Sequence, residues 1–272
     1  MKGEGVGGEL RFRFDLRALE DVRPWGDARR PTLHWFALTQ GWYWIELGGH
    51  ELLRYSDRTL RRWREEYGVE ERPYVDYFVV RIWEDVLEIL ADVMEPVPPD
   101  LVRFVSSDLA GSPVWDDEDI GAETEAAADW HARRTMYMGP LVNAPQLRWW
   151  RTTSDGTDRI TVTWAHEPGH EIGFAAPATG RLTMATSALT AAVTELDRAL
   201  LAAMEGRVAA VEAVGGLPGV DLDPERLRRE HRDRAARADR ARTRTPVTDW
   251  AAVRAGARTF LAAGPAVGRE HL

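Results

Sequence analysis

The sharpest chemical pattern in the sequence is His166-Glu167-Pro168-Gly169-His170-Glu171. It satisfies H-E-x-x-H, in which two imidazoles one helical turn apart bind zinc and the glutamate works on the bound water. That chemistry needs a helix. Pro-Gly between the histidines makes a turn instead, and the preceding Arg159–Trp164 reads as a strand. The spacing therefore argues against a metalloprotease. A looser divalent-metal site at a turn, built from His166, Glu167, His170 and Glu171, asks less of the geometry. The plain alternative is a polar surface hairpin.

A second constellation is aromatic and acidic. Leu33–Thr39, Trp42–Leu47 and His50–Tyr55 read as three strands of a meander, turning at Gln40-Gly41 and Gly48-Gly49. Pairing them places Trp35, Trp42, Trp44, Glu46, Glu51 and Tyr55 on one face, with Glu46 opposite Glu51. Phe36, Leu38, Tyr43, Ile45 and Leu52 take the other face, the expected core. Opposed carboxylates repel unless a cation lies between them. This face reads as a binding surface for a cationic ligand or partner. The competing expectation is that a helix covers it and arginine neutralises the acids. A slip of one residue would dissolve the face.

The remaining candidates are weaker. The run Asp116–Asp119 lacks the alternation and glycine of a calcium loop. His131 sits in a helical segment with no serine or cysteine nucleophile arranged beside it. Arg226–Arg244 holds nine arginines interspersed with acids, the pattern of a salt-bridged solvent face. There is no phosphate-binding glycine motif and no G-x-S-x-G.

Composition narrows the classes. The chain has 272 residues, 44% hydrophobic and 29% charged, with a formal net charge of -9. That suits a folded chain of one or two domains. It excludes collagen and a disordered tail. No apolar run approaches the ~20 residues of a spanning helix, so no membrane partner is expected. Cysteine is absent, which removes disulfides and thiolate chemistry. Residues 1–125 hold 27 acidic and 15 basic residues, net -12, and residues 126–272 hold 17 and 20, net +3. An acidic first half repels nucleic acid and attracts a basic protein. The start, Met1–Gly8, is not a signal peptide, so a cytoplasmic location is expected. Tryptophan is abundant at 12 residues, eleven of them before residue 165.

The elements that must carry these residues come in blocks. Leu10–Phe14 alternates as a strand. Ser56 caps a helix over Asp57–Tyr67, and Pro73 opens another to about Met94. The spacing predicts a helix over 122–138 and a hairpin of Gln146–Arg151 with Arg159–Trp164 around Ser154-Asp155-Gly156. One or two short strands follow before Ala185. A long amphipathic helix spans 187–214, a charged helix runs from Asp223 to about Arg242, and a last helix covers 248–263. This is α+β: two small antiparallel hairpin or meander sheets packed with helices, and a helical C-terminal tail. The expected division is 1–112, 113–215 and 216–272, the first two able to form one domain.

Leu33-His34-Trp35-Phe36, Gly41-Trp42-Tyr43-Trp44-Ile45, Gly49–Tyr55 and Tyr74-Val75-Asp76-Tyr77 resemble a family of actinobacterial proteins grouped as a domain of unknown function. Trp130-His131, Ala144-Pro145 and Arg148-Trp149-Trp150 are similar to its second half. The resemblance covers roughly residues 9–215 and leaves out the arginine-rich tail. It implies an accessory bacterial protein and no particular activity.

The expectation is a soluble cytoplasmic protein that works by binding, of the toxin-neutralising or regulatory kind. Its aromatic-acid face would meet a basic protein partner, with no cofactor. A metal-dependent hydrolase at the HEPGHE turn is the alternative. A structural homodimer through the 187–214 helix is the third reading.

Overall fold

The computed structural model describes residues 10–264, except 28, 69–71, 111, 117–119, 140 and 155. The glycine-rich start, part of the acidic run and Asp155 of the second hairpin turn lie outside the described residues.

Strand β1 (Leu10–Leu16) alternates apolar and charged side chains, and it pairs antiparallel along the whole of β2 (Gln40–Leu47). On the far side of β2, β3 (His50–Leu52) takes Ile45–Leu47, and β4 (Val75–Phe78) takes Gln40–Tyr43. The strand expected over Leu33–Thr39 does not form. His34 O accepts Leu38 N–H, and Ala37–Thr39 is a turn of 3-10 helix. That turn carries Trp35 into the core instead of onto the sheet. Gly41 is therefore not a turn residue. A Cβ there would come within 2.3 Å of Asp15 O, so glycine permits the close approach of β1. The turn at Gly48-Gly49 is real, with φ of 57° and 86°, the twist a two-residue hairpin needs.

Helix α1 (Asp57–Tyr67) starts where the Ser56 hydroxyl accepts Thr59 N–H and stops at Gly68, in the left-handed region. The second helix begins later than the proline suggests: Val75–Phe78 is β4, and α2 runs Val80–Met94. After it come α3 (Val102–Val105) and α4 (Ala122–Ala132), the latter ending short of 138. The second sheet is an antiparallel meander of β5 (Thr135–Met136), β6 (Gln146–Ser154), β7 (Thr157–Ala165) and β8 (Thr179–Ala185). Then follow α5 (Thr186–Val214), α6 (Pro224–Ala235), α7 (Arg237–Thr243) and α8 (Trp250–Ala263). The architecture is α+β with two four-stranded antiparallel sheets.

Two hydrophobic cores hold it together. The larger runs from Leu10 to Ala238 and takes the inner faces of both sheets with α2, α5, α6 and α7. The smaller joins Val97–Leu109 to Trp130, Trp150, Val253, Ala257 and Phe260. Segments 1–112, 113–215 and 216–272 thus share both cores. Trp149 enters the larger and its neighbour Trp150 the smaller, because successive strand side chains point to opposite faces. The stripe of α5, Leu189, Val193, Leu196, Leu200, Met204, Val208 and Val211, is buried within the chain.

Candidate binding surface

Strand β2 builds the site. Its side chains alternate strictly, with Tyr43, Ile45 and Leu47 in the core and Trp42, Trp44 and Glu46 half-buried on the outer face. The register brings Glu46 opposite Glu51, as the glycine turn requires. β1 adds Arg11, Arg13 and Asp15 to this face, and β4 adds Asp76.

The two carboxylates do not share a cation. Glu46 pairs with Arg13 at 3.0 Å and Arg11 at 3.9 Å. Glu51 accepts from Arg54 at 3.3 Å and from the Tyr74 hydroxyl at 3.0 Å. Burial, together with that carboxylate, pushes the Tyr74 phenol above its ordinary value. The Tyr74 ring stacks on Trp44 at 4.0 Å and 13°.

Trp42 is clasped from both flanks. Asp15 and Asp76 are its partners across the sheet on either side. Asp15 holds Arg72, Asp76 holds Arg17, and both guanidinium groups lie over the indole, at 4.0 and 4.5 Å from its centroid. Each such contact is worth about 0.5–1 kcal/mol at an exposed site. Arginine neutralises the acids, as one expectation held. The roof over the tryptophans is arginine and tyrosine side chains rather than a helix.

Two expected members are elsewhere. Trp35 is fully buried beneath α6, with Glu230, His231 and Arg234 around it. Tyr55 leaves the face because Leu53 adopts a positive φ of 69°, which breaks the two-residue period after Leu52. Tyr55 stacks on Phe174 at 5.4 Å instead. Arg17, Arg72, Tyr74 and Asp76 were not among the expected members of the face; Tyr74 and Asp76 stood out only in the segment Tyr74-Val75-Asp76-Tyr77 that resembles the family.

The HEPGHE residues form a turn between β7 and β8, with Gly169 at φ 81°. They do not converge. His166 packs edge-on against Phe174, and neither of its ring nitrogens has a polar partner. His170 Nδ1 accepts Ile172 N–H at 3.0 Å. Glu171 is tied to Arg62 at 2.5 Å, which holds its carboxyl below the usual range. Among the described residues no three histidine or carboxylate side chains are grouped to hold a metal ion. No helix among them is long and apolar enough to cross a membrane.

A family model built on other sequences spans this entire arrangement, matching residues 11–256. The chain belongs to the family of unknown function DUF5984. The match extends the resemblance from residue 215 to 256. The matched span includes the arginine-rich α6 and α7, which lie over Trp35 and against α2. No curated protein and no solved structure matches the chain.

Proposed function

We propose that this DUF5984 protein acts by binding a protein partner on the outer face of its first sheet, as an accessory protein of the toxin-neutralising or regulatory kind. The observation that carries the reading is the half-buried row of Trp42, Trp44 and Tyr74, set among arginines already fixed by carboxylates. Tryptophan, tyrosine and arginine dominate binding hot spots. Groups held in place before binding lose little freedom on association. On the face itself Arg11, Arg13, Arg17, Arg54 and Arg72 offset Asp15, Glu46, Glu51 and Asp76. Short-range recognition therefore runs through rings and hydrogen bonds. The net -12 of residues 1–125 supplies longer-range attraction for a basic partner.

The test starts from affinity capture with the wild-type chain and with a Trp42→Ala/Trp44→Ala variant. A partner retained by the first and lost by the second is then purified and titrated. Saturable binding with slowed amide exchange over residues 40–47 and 74–77 is the expected result. Protection confined to another surface, or equal capture by the variant, overturns the reading.

A further inference from the structure

Arginine lies over five of the twelve indoles. Arg17 and Arg72 lie over Trp42, Arg134 over Trp130, Arg181 over Trp150, Arg234 over Trp35 and Arg237 over Trp83. A cleft of about 640 Å³ opens between the 108–115 segment, α4 and the start of β6. Trp115 and Tyr137 line it with 44% and 50% of their surface exposed, and among the described residues no cation covers either ring.

Two carboxylates of the cleft stand on α4. Glu125 and Asp129 are four residues apart on α4, like charges on one helical face, an unfavourable pairing. Asp129 also sits in the last turn, where the helix dipole disfavours an anion. Neither carboxylate has an arginine partner among the described residues. His131 is only 3% exposed and lines the same cleft. Its Nε2 meets Ser107 O at 3.1 Å, so that nitrogen carries the proton and Nδ1 is a lone-pair acceptor without a partner among the described residues. Burial pushes the imidazole down to about 3, so it stays neutral and accepting. The one cation of the lining, Arg148, is already committed to Ser107 O and Thr135 Oγ1.

Rings with no cation over them, carboxylates without a counter-charge and an unpaired acceptor nitrogen on a cleft-lining side chain together ask for a donor-rich flat cation. We propose that this cleft binds a small guanidinium or amidinium compound, its plane against Trp115 or Tyr137 and its N–H groups on Asp129, Glu125 and His131 Nδ1. Such a head stacks on aromatic faces and pairs with carboxylates two bonds at a time. The cleft volume is in the range of small-molecule sites. This site is separate from the sheet surface and does not rest on that reading.

The experiment is calorimetric titration of the full chain with benzamidine and with benzamide, its uncharged counterpart. Benzamidine is expected to bind 1:1 with Kd below about 1 mM, and more weakly as salt is added. Asp129→Asn and Glu125→Gln each weaken it by about tenfold, as does Trp115→Leu. Glu195→Gln, a remote surface control, leaves it unchanged. Thermal melts establish that the variants stay folded. Failure of benzamidine to saturate the protein, equal binding of benzamide, or an affinity untouched by the three cleft substitutions overturns the proposal.

Discussion

The indole N–H of Trp35 donates to Nδ1 of His231 at 3.2 Å, a bond that ties the first sheet region to α6 across most of the chain. Nε2 of the same imidazole meets Glu205 on α5 at 3.1 Å. His231→Ala leaves a buried indole donor unpaired, and a group so stranded costs about 1–3 kcal/mol. Urea unfolding is expected to show that loss. In a Trp35→Phe background, which has no donor to strand, the same substitution should cost measurably less. Equal costs in both backgrounds would show that the bond contributes nothing.

Asp85 lies on α2 without an ion-pair partner among the described residues, and burial pushes its carboxyl up to about 6. A raised carboxyl favours the protonated fold. Its contribution is complete below the unfolded value near 3.8 and is lost as pH rises through 6. Asp85→Asn is therefore expected to raise stability at pH 8 by roughly 1–2 kcal/mol, after allowance for partial exposure. The gain should shrink towards pH 4. His131 has the opposite slope. With its imidazole held near 3 by burial, stability present above about pH 6.5 is lost as pH falls. Chemical denaturation of the wild type and of Asp85→Asn across pH 4–8 separates the two, since only the wild type carries the Asp85 slope.

Replacing Arg17 and Arg72 together with alanine removes both guanidinium groups over Trp42. Surface cation–ring and ion-pair contacts are individually small, so the expected loss is about 1–2 kcal/mol. Mean tryptophan emission should move to the red as water reaches the ring. An unchanged spectrum would mean that the arginines do not roof the indole in solution.

Zinc is expected to leave the melting temperature unchanged, and His166→Ala/His170→Ala to abolish nothing measurable by native mass spectrometry. His170 and Glu171 are spent on Ile172 N–H and on Arg62. A stoichiometric zinc adduct lost in the double variant would contradict this geometry.

The sequence made part of this legible. Gly48-Gly49 forced the hairpin, and with it the facing of Glu46 and Glu51. Ser56 and Gly68 bounded α1, and the stripe of α5 appeared at helical spacing. Local signals failed where the deciding contact was distant. An apolar stretch such as Leu33–Thr39 suits a strand until Trp35 finds its place under α6. Gly41 looked like a turn because close strand approach and turning both select glycine. The arginines over Trp42 come from 17 and 72, positions whose meeting only the pairing of β1 and β4 with β2 creates.

Trp149 and Trp150 make β6 a party wall, with one tenant on each side. Neither core can melt while the other keeps that strand. Calorimetry should record a single peak rather than one per sequence segment. A chain cut after residue 215 would lose α6 from above Trp35 and α8 from beside α4, so the cut leaves a partly unroofed protein rather than a smaller one.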